Sequence, residues 1–263
     1  MREFFKIFKY TFFDLIRSKW SIAYLLFFLV TCFTLFSFNK EGSKAIVSLL
    51  NIVLIIIPLI SIILGTMYYY NVREFIDLLL CQPVKRYVVF SGIYAGLSGS
   101  LIVSFLLGTL ISYGFAGPGF GEASVPFLLL LSIGVLLTLI FTGIAFWISI
   151  ATQNKIKGIA ISLFTWLFMA LLFDGLFLLW IIIFGDYPVE KQSIVLSMFN
   201  PIDLSRIIIL LKLDTSALMG YTGAVFLKFF GTARGIIMAY SALLLWVITP
   251  LFLMIRSARS RDF

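Results

Sequence analysis

Six stretches of this chain run for about twenty residues or more with almost no charge, at about 20–38, 45–70, 88–115, 125–150, 158–184 and 235–255. The hydrocarbon core of a bilayer demands that length and polarity of a helix, and no single water-soluble core would need six such segments. Composition agrees: 62% of the residues are hydrophobic, 12% are charged and the mean hydropathy is +1.11. Soluble domains hold roughly 45–50% apolar and about 25% charged residues. The sequence therefore predicts an all-α polytopic membrane protein with six transmembrane helices, forming a single transmembrane domain over residues 1–263.

The net charge of +8 would suggest nucleic acid in a soluble protein, but here its distribution reads as topology, and no nucleic-acid partner is expected. Arg2, Lys6, Lys9, Arg17 and Lys19 precede the first span. Arg73, Lys85 and Arg86 follow the second, Lys155 and Lys157 precede the fifth, and Arg256, Arg259 and Arg261 follow the sixth. The short connections on the other side, 39–44 and 116–124, carry only Lys40 and Lys44. Basic residues collect on the cytoplasmic side, so both termini are expected there. The first apolar run begins near Trp20 without a small-x-small cleavage site, so no cleavable signal peptide is expected. Ahead of it, Phe4, Phe5, Phe8, Phe12, Leu15 and Ile16 share one helical face opposite Arg2, Lys6, Lys9, Tyr10 and Arg17. This predicts an amphipathic helix over 1–19 lying along the inner membrane surface.

Within the third span, Gly92, Gly96, Ser100, Ser104, Gly108 and Ser112 recur at every fourth position. Small residues at that spacing make a shallow ridge on which another helix can pack closely, inside one subunit or between two. Between spans two and three, residues 71–87 read NVREFIDLLLCQPVKRY. The pattern predicts a short amphipathic helix on the cytoplasmic side, charged at Arg73, Glu74 and Asp77 and stopped by Pro83. A connector this short rarely exposes Phe75, Ile76, Leu78, Leu79 and Leu80 to water, so a partner surface is expected.

Asp174 is the only acidic residue inside a span. At ~1.5 Å per residue it lies about 24 Å above Gly158, towards the outer third of the bilayer, where a carboxylate needs a partner or a proton, a central one costing several kcal/mol. No span contains a basic residue, whereas Arg206 opens the helix that could fold back over span five, so an Asp174–Arg206 pair is expected. That helix lies in the outer segment 185–232. It begins at NPIDLSR, with Asn200 as N-cap, Pro201 at the first helical position and Asp203 in the first turn. The apolar runs that follow, Ile207–Leu211 with Leu213 and Ala224–Phe230, are expected to lie in or dip into the outer leaflet.

Absences narrow the chemistry. The chain has no histidine, which removes Ser-His and Cys-His catalysis and HExxH zinc sites. Cys32 and Cys81 are isolated, so no metal site is expected. There is no GxxxxGK[ST] motif, and any ATP hydrolysis must come from a partner. No catalytic residue is assigned, and the chain is read as not an enzyme.

The N-terminal helix, the six spans, the REFIDLLLCQPVKR helix and the outer helices between spans five and six together resemble ABC-2 type permeases from end to end. PLISIILGTMYYY with LLLCQPVKR at 58–86, WLFMALLFDGLFLL at 166–179 and FNPIDLSRIIIL at 199–210 place it nearest the NosY group within that family. That group supplies the membrane subunit of the system assisting copper-site assembly of nitrous oxide reductase. The resemblance implies a homodimer in the bacterial inner membrane and a NosF-like ABC ATPase, binding ATP and magnesium, engaged by the 71–87 helix. It also implies a NosD-like periplasmic β-helical protein held by the outer segment. No cofactor is implied on this chain. A general ABC-2 exporter of lipid, drug or glycan remains the neighbouring alternative, and a proton-coupled protein using Asp174 a more distant one.

Overall fold

The computed structural model describes residues 2–38, 42–117, 124–184, 190–213 and 233–260. They are almost entirely helical, with no strand among them. In chain order the helices are α1 (Arg2–Ile16), α2 (Lys19–Phe38), α3 (Gly42–Asn71), α4 (Arg73–Leu80), α5 (Arg86–Ala116), α6 (Ser124–Ala151) and α7 (Lys155–Leu167). A π turn (Phe168–Leu172) joins α7 to α8 (Phe173–Phe184), followed by α9 (Glu190–Met198), α10 (Pro201–Lys212) and α11 (Ala233–Ser260). The six expected spans are present as α2, α3, α5, α6, α7–α8 and α11, each long and apolar enough to cross a membrane. Their bounds lie within a few residues of the sequence expectation, because hydrocarbon length and flanking charges set them.

The core is built on α3, α5 and α6. Gly65 of α3 lies so close to α6 that a Cβ there would meet the Ala145 methyl at 2.8 Å. Gly134 of α6 likewise admits the Phe105 ring of α5. Phe28, Phe90, Phe105, Phe127, Phe141 and Phe146 fill the interior with no exposed surface or nearly none.

The small-residue ridge of α5 is occupied from within the chain, along its whole length. At one end it seats α1: a Cβ on Gly92 would meet Ile7 Cγ2 at 3.0 Å, and one on Gly96 would meet Thr11 Cβ at 2.6 Å. Further along it seats α2. Ser100 and Ser21 hydroxyls approach at 3.4 Å, Gly108 leaves no space beside Leu25 O, and Ser112 Oγ donates to Leu29 O at 2.7 Å. Of the two possible uses of the ridge, the intrachain one is realised.

That seating changes the reading of α1. Its most buried side chains are Ile7 and Thr11, facing α5, while Phe5 is 63% exposed. The expected N-terminal helix is present, and one side of it packs on protein, because α5 offers glycines where Ile7 and Thr11 arrive. Phe4, Phe8 and Phe12 form a ring series beside this contact, with centroids 6.4 and 5.7 Å apart.

Helix α10 also differs from expectation. Rather than resting in lipid it is wrapped by α3, α6, α9 and α11, with Ile202, Leu204, Ile207, Ile208 and Ile209 all buried. Its isoleucine-rich surface is stable when covered by these helices, while Asp203 and Arg206 occupy its polar side. The second apolar run, Ala224–Phe230, lies outside the described residues.

Candidate functional site

Two polar constellations stand out, one at the end of the bundle carrying α1 and α4, termed the basic end below, and one at mid-depth. At the basic end, α4 follows α3 after a single residue, Val72, with no side-chain cap. Its buried stripe is Ile76, with Leu79 and Leu80 half-buried against the core. Its outer face presents Glu74, Phe75, Asp77, Leu78 and Cys81, Leu78 being 68% exposed. Of the five apolar residues expected on the partner surface, Ile76 is buried and Leu79 and Leu80 pack inward, whereas Phe75 and Leu78 point out. The i, i+3, i+4, i+7 series Glu74, Asp77, Leu78, Cys81 carried that signal.

Arg73 turns away from this face and donates to Gln153 O at 3.2 Å. Beside that bond Tyr70 Oη donates to Thr152 O at 2.8 Å, and Lys155 Nζ donates to Asn71 Oδ1 at 3.0 Å. The α3–α4 junction is thus stitched to the start of span five. The Phe75 ring meets Tyr10 of α1 with centroids 5.5 Å apart, which adds α1 to the same platform. Pro83 is exposed just past the helix end.

Above this platform, α7 lies along α3. Gly158 fits beneath the Tyr70 ring with no space for a Cβ. Thr66 Oγ1 donates to Ser162 Oγ at 2.8 Å, and Trp166 Nε1 donates to Ile55 O at 3.3 Å. Then comes the π turn. Such turns insert a residue into the helix and leave a main-chain carbonyl available to an outside donor. Asn200 Nδ2 donates to Met169 O within it at 2.8 Å.

Asn200 is fully buried and every polar atom of its carboxamide is used. Its Oδ1 accepts from Ile202 N at 3.1 Å, making it the N-cap of α10, while Nδ2 also donates to Asp203 Oδ2 at 3.0 Å. Pro201 occupies the first helical position. Met198 O accepts from Trp246 Nε1 at 3.0 Å. Met169 and Trp246 sit near the midpoints of their spans, Lys155–Phe184 and Gly235–Ala258, so the α9–α10 turn reaches the middle of the bundle. Helix α10 then runs back alongside span five towards Phe184.

On that return path Arg206 meets Asp174 at 2.8 Å and Asp203 at 3.4 Å. Asp174 and Arg206, distant in sequence, are therefore brought together, and Asp203 joins them. The side chains of Asp174 and Arg206 are each about one-third exposed, that of Asp203 13%. Burial pushes the Asp203 carboxyl above the usual carboxylate range, and neighbouring Asp174 pushes the same way, against the pull of Arg206 and Asn200. Two acids face one base, so a fully ionised cluster would hold a net negative charge away from water.

Cys32 is buried on α2 with its Sγ 3.7 Å from Thr109 O, and Cys81 is exposed on α4, so the two cysteines are far apart in role and place. Among the described residues no group of three or more His, Cys, Asp or Glu side chains gathers into a metal-binding set. No family model matches the chain, and no curated protein matches it.

Proposed function

We propose that the chain is the membrane subunit of an ABC-2 type transporter, working as a homodimer and carrying motion from ATPase subunits at its basic end to a partner beyond its opposite end. The observation that supports this is the double fastening of span five. At its base it is stitched to the α3–α4 junction by Arg73, Tyr70 and Lys155. At mid-depth it is held to the α9–α10 turn by Asn200 and Arg206. Between and beyond these points it lies along α3 on one side, and 6% of its apolar window is buried among the described residues. A helix fastened at its base and at mid-depth, with most of its residues not buried, can pass displacement from one fastening to the other.

In this reading the basic end is cytoplasmic, in the inner membrane, and the α4 face with Glu74, Phe75, Asp77 and Leu78 seats in a NosF-like ATPase that binds ATP and magnesium. The α9–α10 hairpin delivers the motion to a NosD-like periplasmic β-helical protein, in service of copper-site assembly of nitrous oxide reductase. Copper chemistry belongs to the partners, because this chain has no histidine and its cysteines stand apart. Affinity purification of the tagged chain from native membranes tests the assignment. A NosF-like ATPase and a NosD-like protein should co-purify; an ATPase accompanied by lipid- or glycan-handling proteins would move the chain to the general exporters, and no ATPase at all would end the transporter reading.

A further inference from the structure

The cluster between span five and α10 sets two acids against one base. Asp174 of span five and Asp203 of α10 both reach Arg206, at 2.8 and 3.4 Å. The two carboxyl groups are also within hydrogen-bond reach of each other. Ionised carboxylates only accept hydrogen bonds, so that contact is repulsive while both are charged and becomes a bond when one of them carries a proton. Asn200 Nδ2 adds a donor to Asp203 Oδ2 at 3.0 Å, but no charge.

Nothing else nearby settles the balance. Among the described residues, Asp174, Asp203 and Arg206 make ion pairs only with one another. Of the helices packed against α10, α6 carries no charged residue. The charges of the others stand at helix ends: Lys44 on α3, Glu190 and Lys191 on α9, Arg234, Arg256 and Arg259 on α11. The charges acting on the Asp203 carboxyl are those of Asp174 and Arg206, and the hydroxyl of Tyr240 is engaged with Ser132. The side chains of Asp174 and Arg206, each about one-third exposed, connect the cluster to the surface of the chain.

We propose that Asp174 and Asp203 hold a single proton between them, and that this proton closes a latch between span five and α10. With the proton in place the cluster is neutral: Arg206 holds the ionised acid, and the protonated acid donates to it. Loss of the proton leaves a net negative charge and turns the contact between the acids into a repulsion. Asp203 and Arg206 belong to α10 and Asp174 to span five, so the repulsion acts across the joint rather than within one helix. The bond from Asn200 Nδ2 to Met169 O involves no titratable group, so the joint loosens at Asp174 and stays pinned at the π turn. The latch needs no ATPase and stands independently of the transporter reading.

Infrared difference spectroscopy of the full-length chain in lipid nanodiscs, stepped from acidic to alkaline pH, tests the shared proton, because a protonated carboxyl absorbs apart from a carboxylate. Wild type should show a carboxyl that keeps its proton above the usual carboxylate range. Asp203→Asn should remove that band, and Asp174→Asn should move it about one pH unit or more towards acid, a tenfold loss of proton affinity, since the remaining acid then has Arg206 to itself. Arg206→Gln should move the band the other way, an opposite sign that a general folding defect does not produce. Spin labels at the exposed Leu178 and Val195, in a Cys81→Ser background, read the latch: their separation should lengthen as the carboxyl loses its proton and should not respond to pH in Asp203→Asn. Absence of the band from wild type, or a band that Asp174→Asn leaves in place, would overturn the shared proton. A separation indifferent to pH in wild type would overturn the latch.

Discussion

Helices α5 and α7–α8 are both long apolar spans, and the chain holds them by opposite means. In α5, 56% of the apolar window is buried, against 6% in span five. Alpha-helix α5 is gripped along its length by backbone proximity: Gly92, Gly96 and Gly108 admit α1 and α2 to distances that no larger side chain would allow. Span five is gripped at points, by hydrogen bonds from Arg73, Thr66, Trp166, Asn200 and Arg206. Continuous close packing resists sliding everywhere at once, whereas a few polar tethers leave the intervening helix free to tilt. In the transporter reading proposed above, the contrast is between a fixed wall and a coupling rod.

The wall breaks first where its spacing is violated. Gly96→Leu forces a side chain against Thr11 Cβ and Phe8 O, and backbone cannot rotate aside, so it should cost about 3 kcal/mol and free α1. Loss of monodisperse protein on size-exclusion chromatography would show this, with Gly114→Leu, which has open space around it, as the neutral control.

The rod should be less costly to damage but more specific. Asp174→Ala leaves Arg206 only its longer contact with Asp203, and with Asp174 and Arg206 about one-third exposed the loss should be about 1 kcal/mol, well below the roughly 3–5 kcal/mol of breaking a fully buried pair. Thermal unfolding reads it. The double variant Asp174→Asn with Arg206→Gln should recover part of the loss, and strict additivity would mean that the 2.8 Å contact contributes nothing. Asn200→Ala removes both the α10 cap and the donor to Met169 O, for about 1–2 kcal/mol on the same measurement.

Comparable effects sharpen the distinction between surface and support. Leu78→Asp should leave thermal stability unchanged and weaken co-purification of the proposed ATPase partner about tenfold, or about 1.4 kcal/mol, whereas Leu79→Asp should destabilise the chain itself. The smallest effect is a slope with pH. Because the folded state holds the Asp203 carboxyl above its ordinary range, it retains a proton that the unfolded chain has already lost in that interval. Stability should therefore fall as pH rises from the usual carboxylate range towards the raised value, and Asp203→Asn should flatten that part of the curve.

Much of the wall and part of the rod could be read from sequence, for physical reasons that differ. Span bounds follow from hydrocarbon length, and the α10 cap follows from Asn200–Pro201, a local signal that tertiary structure has no cause to override. The Asp174–Arg206 pair was legible because a mid-span acid needs a counter-charge and the spans offered none. The π turn was not legible: FMALL contains only ordinary helix-compatible residues, and the inserted register is stabilised by a donor, Asn200, from another part of the chain. Nor could the seat of α1 be read, since Phe4, Phe8 and Phe12 mark an apolar face equally suited to lipid and to protein. Only the glycines of α5 decide between them, through a contact about 85 residues away in sequence.

The distance between the wall and the hairpin, measured by spin labels at Leu107 on α5 and Val195 on α9 in the chain reconstituted with the proposed ATPase partner, tests the coupling directly. Both side chains are exposed enough to carry a label. The coupling account predicts that the distance distribution shifts when ATP binds, and that the shift disappears in Asp174→Asn while ATP is still hydrolysed. An identical distribution with and without ATP, or a shift that survives loss of the Asp174–Arg206 tether, would contradict it.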